Sequence, residues 1–219
     1  MSAGSRLGRE AVASSWMLVW INGAFGSGKT LVAHELKRRL GDAQVSDPEV
    51  LGFALHKMLP ASEREDFQDL PQWRAGVLST LARAAAGYDG HVIVPMSIVR
   101  DDYFAEIVGG LRSSGVDVRH YTLAATADTL HRRLRWRSAY LLGKALGRDE
   151  TWAIQQIERC VTALADERYA THVQTDEMTP DEVVEFIAND AGLELIRPRL
   201  SSARERLHRL EVGLRHIRI

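Results

Sequence analysis

Eight consecutive residues, Gly23-Ala24-Phe25-Gly26-Ser27-Gly28-Lys29-Thr30, concentrate more chemistry than any other stretch of the chain. They satisfy the Walker A pattern at each defined position. Gly23, Gly26 and Gly28 allow backbone angles and close approaches that a Cβ would block. Such a loop can turn its N–H groups inward as an anion nest, and a helix starting there aims its positive dipole end at the same point. Lys29 would place a charge on the β- and γ-oxygens of a nucleotide, and Thr30 would ligate Mg²⁺. Chance glycine-rich turns also match the pattern, but this one stands between an apolar run and an amphipathic helix, as the chemistry requires. We therefore expect Gly23–Thr30 to hold ATP with Mg²⁺, with Lys29 acting in catalysis.

The acceptor side is sought at the other strand ends, which in a parallel sheet open onto the ligand crevice. Asp47-Pro48-Glu49 follows a second expected strand. A carboxylate there could take a proton from a substrate hydroxyl or hold Mg²⁺ through water, a role assigned to Asp47, with Glu49 second. Equally, Asp47 could cap the next helix. Arg74 could pair with an anionic or hydroxyl-rich substrate. Phe67 and Trp73 could stack on a ring, although core packing is the better reading for at least one of them. The arginine-dense segment His131–Arg137 precedes an expected lid. Arg137 first and Arg133 second, i and i+4 on one face, are the candidates for stabilising the transferring phosphoryl group, with Arg159 a third. A charge run is usually a solvated face, and some of these arginines belong to that class. Thr175-Asp176, closing the last strand, would lie on the adenine side, or would cap the helix near Pro180. Two absences matter: the HVIVP run ends in Pro95-Met96, where an acidic metal partner is often found, and no guanine-reading motif is present, which favours ATP over GTP.

These residues need a frame that brings strand ends together. Strand-like runs alternate with helical spacing, which predicts an α/β fold: a P-loop kinase-like parallel sheet of about five strands, helices on both faces and a mobile lid insert. Trp16–Ile21 (WMLVWI) has the continuous apolar character of a central parallel strand. Helices are expected over Gly28–Leu40, Glu49–Met58, Pro71–Ala86, Tyr103–Leu111, Thr126–Arg137, Thr151–Ala165 and Pro180–Ile187. Further strands are expected at Gln44–Ser46, His91–Pro95, Val116–Leu123 and His172–Thr175. Residues 1–15 are expected to form a flexible leader, 16–196 one domain with its lid at about 132–150, and 197–219 a basic amphipathic helix.

With 219 residues, 45% apolar and 26% charged, the chain has the balance of a globular protein of one domain. Its single cysteine, Cys160, precludes an intramolecular disulfide and a thiolate zinc cluster, and a cytoplasmic location is expected. Net charge is −1, but residues 197–219 carry +5 and the rest −6, so the body is not that of a nucleic-acid binder. Leu200, Ala203, Leu207, Leu210 and Leu214 recur at helical spacing between arginines. Such a helix could lie on an anionic membrane; packing on the domain or on a second copy in a homodimer fits the same spacing and is preferred.

Taken together, Trp20–Thr30, Asp47-Pro48-Glu49, Gly52–Leu55, Trp73-Arg74, Val94-Pro95-Met96 and the closing His216–Ile219 resemble the tunicamycin-resistance ATP-binding proteins of bacteria. The similarity runs from about Trp16 to the C-terminus. It implies a nucleoside-kinase-like P-loop fold, ATP at Gly23–Thr30, and resistance through modification or capture of tunicamycin, a uridine-containing nucleoside with sugars and a fatty-acyl chain. More distantly the layout is similar to chloramphenicol phosphotransferase, shikimate kinase and gluconate kinase, where a strand-end carboxylate at the place of Asp47 serves as base or metal partner. The insert over Ser138–Glu150 is longer than that family implies. Three readings follow: a phosphotransferase for a hydroxyl of tunicamycin or a related nucleoside, a protein that sequesters the drug unmodified, or a housekeeping small-molecule kinase.

Overall fold

The computed structural model describes residues 16–135 and 156–216. Most of the expected lid, Arg137 included, lies outside the described residues, as do residues 1–15 and 217–219.

Strand β1 (Leu18–Gly23) is buried along its whole length, and its alternation sorts the apolar run to two sides. Leu18 and Trp20 enter the core on one face of the sheet, Val19 and Ile21 the core on the other. That is why a central strand reads as uninterrupted hydrophobicity. β2 (Ala43–Val45), β3 (His91–Pro95), β4 (Val118–Ala124) and β5 (His172–Gln174) complete a five-stranded sheet in the order β2-β3-β1-β4-β5. Every pairing is parallel, with Leu18 opposite both Val92 and Val118.

Helix α1 (Lys29–Leu40) and, after the last strand, α8 (Pro180–Ala191) cover one face through Val32, Leu36, Val183 and Ile187. The other face is covered by α3 (Pro71–Gly87), α6 (Ala127–Arg135), α7 (Ile157–Leu164) and a helical run of three parts. That run is α4 (Asp101–Phe104), a π-helical turn (Ala105–Gly109) and α5 (Gly110–Ser113). α2 (Glu49–Met58) follows β2 directly. Pro71 occupies the first turn of α3 as expected, and a reciprocal Thr179–Glu182 capping box starts α8.

The final helix, α9 (Ser202–His216), lies against α1, but not through Leu207 and Leu210. Val212 is buried and His208 approaches Glu35 at 3.7 Å, whereas Leu207 and Leu210 are 66% and 49% exposed. At about 100° per residue, Ala203, Leu207 and Leu210 fall nearly opposite His208 and Val212. The segment before the helix sets this rotation. Arg197 N–H donates to the Arg39 carbonyl (3.1 Å), Arg39 donates back to Arg197 O (3.2 Å), and Arg38 donates to Pro198 O (2.7 Å). Spacing reports a period; these ties decide which side faces in.

Candidate active site

The phosphate cradle lies between β1 and α1, where the motif put it. Gly23, Gly26 and Gly28 take φ values of +147°, +83° and +94°, which L side chains rarely adopt. At Gly23 a Cβ would also stand 2.6 Å from Ser27 Oγ and 2.9 Å from the Leu123 carbonyl. Three further observations fit an anionic occupant. Among the described residues no side chain caps the start of α1, and its first turn holds no acidic residue, so no carboxylate competes there for an anion. Ser27 Oγ is buried and has no hydrogen-bond partner among the described residues. Lys29 Nζ donates to the carbonyls of Gly23 (2.9 Å) and Ala24 (3.1 Å), along the rim of the loop. Thr30, half-buried in the first turn, is the residue that could hold Mg²⁺ alongside phosphate oxygens. Among the described residues no cluster of three or more His, Cys, Asp or Glu could hold a metal by itself.

Asn22, just before the loop, carries weight that the sequence reading missed. Its Oδ1 accepts the N–H groups of Gly23 (2.8 Å) and Ile98 (3.1 Å), and its Nδ2 donates to Ile98 O (2.9 Å). The residue after Pro95-Met96 also acts on the cradle: buried Ser97 donates its hydroxyl to Gly23 O at 2.6 Å. A neutral hydroxyl thus stands one residue beyond the Pro95-Met96 pair, where an acidic metal partner is often found.

On the acceptor side, Asp47 Oδ1 accepts the Glu49 N–H at 3.0 Å, so the capping role is present. Glu49 opens α2. Trp73 is fully buried and cannot offer a ring face to a ligand; its indole N–H donates to Pro48 O at 3.0 Å and so fixes the Asp47-Pro48-Glu49 corner. Phe67 packs on Trp73, Phe53 and His56, and its ring fills the space that a Cβ at Gly52 would need. Arg74 is held by Glu106 (2.5 Å) and Gln68 O (2.7 Å), with its guanidinium 4.2 Å from the Tyr103 ring centroid.

A cleft of about 230 Å³ opens beside Phe25 of the cradle. Asp66, Asp69, Ser97, Arg100 and Arg159 line it, with Tyr103 and buried Cys160 at its walls. Of these only Phe25 and Arg159 are site residues expected from the sequence. Burial and the Asp69 bond push the Tyr103 phenol up from its ordinary value, and burial pushes the Cys160 thiol up.

Thr175 and Asp176 meet Arg133 at the far end of β5. Arg133 donates to Thr175 Oγ1 at 3.0 Å and to Thr175 O. Asp176 Oδ1 accepts from the N–H and hydroxyl of Thr126, at 3.0 and 2.7 Å. Burial pushes the Asp176 carboxyl up, but the bonds from Thr126 and Thr129 and the charge of Arg133 together hold it below its ordinary value. Arg133 therefore belongs to the Thr175–Asp176 corner. The same helix touches the cradle, since a Cβ at Gly26 would meet Leu130 O and Leu134 at 3.1 Å.

A parallel sheet in this order, with the glycine cradle between its central strand and the first helix, defines a P-loop protein of the kinase-like class. A family profile described as an AAA domain matches residues 18–153. The tunicamycin resistance protein of Deinococcus radiodurans is 31% identical, over 83% of this chain and 99% of that one, with a TM-score of 0.68. The chain belongs to that tunicamycin resistance protein family of AAA-domain P-loop proteins. At the level of fold it is similar to a sugar kinase from Janibacter (18% identity, 84% and 99% coverage, TM-score 0.56). The APS kinase CysC of Mycobacterium tuberculosis is similar in the same sense (20%, 81% and 98%, 0.53). No curated protein sequence matches. Among the described residues no helix is long and apolar enough to cross a membrane.

Proposed function

We propose that this chain is an ATP- and Mg²⁺-dependent phosphotransferase acting on a hydroxyl of tunicamycin or a related nucleoside-type molecule. The observation that carries the reading is the continuity of two sites: the cradle's own Phe25 forms part of the wall of a polar cleft. The resistance protein named above directs the choice of acceptor.

In this reading the loop N–H groups and the start of α1 bind the β- and γ-phosphates, and Lys29 Nζ leaves the Gly23 and Ala24 carbonyls to meet their oxygens. Mg²⁺, when bound, neutralises charge on the β- and γ-oxygens; Thr30 would hold it directly and Asp47 through water. Asp47 takes the proton of the acceptor hydroxyl as its oxygen bonds to the γ-phosphorus and the bond to the ADP oxygen breaks. Arg137 is the first candidate to stabilise the charge on the transferring group. Arg133, tied to Thr175, serves the nucleotide side with Thr175 and Asp176.

A second reading, capture of the drug without modification, draws on the Asp47 cap, which gives that carboxylate a structural reason to be present. One variant separates the two. Asp47→Asn keeps a carbonyl oxygen for the Glu49 N–H but cannot take a proton. Turnover should fall by about 10²–10⁴-fold, whereas capture should persist. The direct test incubates the protein with ATP, Mg²⁺ and tunicamycin and seeks a mass gain of one phosphoryl group. Tight binding with only unmodified drug would reject the phosphotransferase.

A further inference from the structure

The acceptor cleft is more selective than its position alone implies. Tyr103 is held by two cations: the guanidinium of Arg74 lies 4.2 Å from its ring centroid and that of Arg100 lies 4.1 Å from it. Both distances are well within cation–π range of the ring. Its hydroxyl donates to Asp69 Oδ1 at 2.5 Å, and Arg100 Nη1 stands 3.6 Å from the same oxygen. Glu106 and Gln68 O hold Arg74 in turn. The chain of contacts fixes a carboxylate acceptor and a guanidinium donor side by side at the cleft, both side chains about half exposed.

Charge and size then narrow what fits. Asp66 and Asp69 offset Arg100 and Arg159, and Arg100 is already matched by a bidentate bond to Asp102 (3.1 and 2.6 Å). An anionic acceptor would meet two carboxylates, with the charge of Arg100 already balanced by Asp102 through Nε and Nη2. The Nη1 N–H groups lie outside that bidentate bond and can serve a neutral acceptor. A neutral ring that offers a donor to Asp69 and an acceptor to Arg100 uses both. The volume, about 230 Å³, lies below the roughly 300–1,000 Å³ of sites that enclose drug-sized ligands. One ring enters; a large substrate must leave the remainder outside. Phe25 supplies an apolar surface for a ring face.

We propose that this cleft selects a compact, uncharged polar ring presenting a hydrogen-bond donor beside an acceptor, as a sugar diol or a pyrimidine imide does. Asp69 and Arg100 determine the specificity, and Tyr103 is the residue that positions them. The inference deepens the phosphotransferase reading, on which it rests for the cleft's role.

Calorimetric titration of the full chain, with Mg²⁺ and a non-hydrolysable ATP analogue present, tests it without requiring transfer. The probes are uridine and methyl N-acetylglucosaminide, each set against a carboxylated counterpart, orotidine and glucuronate. At least one neutral probe should bind about tenfold or more tighter than its counterpart, and which one does so tells imide from diol. Losing one charge-assisted bond in Asp69→Asn should weaken the neutral probe about tenfold and shrink or reverse the discrimination against carboxylates. Arg100→Gln should move that discrimination the opposite way, which a purely structural role would not do, and it carries the test if Asp69→Asn does not fold. Tyr103→Phe should weaken the neutral probe while the affinity for nucleotide stays within twofold. Carboxylates binding as tightly as neutral probes, no probe binding at millimolar concentration, or a discrimination unmoved by either charge variant would overturn the proposal. Selective binding combined with no phosphoryl transfer would leave it standing and remove the phosphotransferase instead.

Discussion

Acidification should weaken the fold from directly behind the cradle, through His120. This residue is buried on β4, with Phe104 edge-on at 4.8 Å and Tyr169 tilted at 6.4 Å between ring centroids. Its tautomer follows from its neighbours. The Ala170 carbonyl, 3.1 Å from Nδ1, can only accept, so Nδ1 carries the proton. Asn22 Oδ1 already accepts two backbone N–H groups, so Nδ2 is the atom turned towards His120 Nε2, at 3.4 Å. Nε2 therefore accepts, and a second proton on the ring would set donor against donor. Burial is the main cause that pushes His120 down to about 4, with the Ala170 bond opposing it and the charges of Arg112 and His172 adding to it. Between its ordinary 6.5 and about 4, the unfolded chain binds a proton that the folded chain refuses. Stability thus rises with pH through this window and is lost as pH falls through it. The whole window amounts to about 3 kcal/mol, of which about 2 kcal/mol is gone by pH 5.

Urea titrations at pH 7 and pH 5, on the wild type and on His120→Gln, isolate this share from that of the carboxylates. The variant should be less stable at pH 7, yet its loss between the two pH values should be smaller by about 2 kcal/mol. Because Asn22 also holds the Gly23 N–H, nucleotide affinity of the wild type should fall over the same range. An imidazole resonance titrating near 6.5 in the folded protein, or equal losses in both proteins, would refute the reasoning.

Two other perturbations follow from contacts at the site's margins. Trp73→Phe removes the indole donor and leaves Pro48 O with only the Gly52 N–H (3.3 Å), which should cost about 0.5–1.5 kcal/mol in chemical denaturation and lower turnover at the loosened Asp47 corner with nucleotide affinity unchanged; unchanged stability would contradict the assigned bond. In α9, Val212→Ala should cost about 1 kcal/mol or more, while Leu207→Ala should stay within about 0.5 kcal/mol. The reverse order of melting temperatures would mean that the leucine stripe, not the Val212 side, faces α1.

The cradle could be read from the sequence because its chemistry is local: eight adjacent residues specify the turn, the nest and the helix start. The His91–Pro95 strand and the Glu49–Met58 helix were likewise legible to the residue, since apolar runs and helical spacing are properties of neighbours. What escaped depends on partners far along the chain. An indole at position 73 reads equally as pocket wall or core until Pro48 is known to stand above it. The grip on Tyr103 joins two stretches of chain about thirty residues apart, one with Asp69 and Arg74 and one with Arg100 and Tyr103, and neither Asp69 nor Arg100 has a local pattern that announces it. Asn22 did leave a signal, a primary amide ending an apolar run in a strand buried on both faces. Such a group must be paired, and asking with what would have pointed to the strands on either side.

Those missed residues account for how the two halves of the site are joined. Gly23 O accepts from both Lys29 and Ser97; Ser97 O accepts from Gln68 Nε2 at 3.2 Å; Gln68 O accepts from Arg74, which stacks on Tyr103. A bonded path therefore runs from the phosphate loop to the acceptor clamp through residues that the nucleotide itself need not touch. Contiguity of this kind is not by itself transmission between sites. Its firmer consequence is that the polar groups are already oriented before a ligand arrives, so little reorganisation is left for the reaction to drive. The exception is Lys29, whose ammonium must give up the Gly23 and Ala24 carbonyls to reach phosphate. In the proposed reaction that exchange falls on the nucleotide side, while acceptor selection rests on a clamp built beforehand.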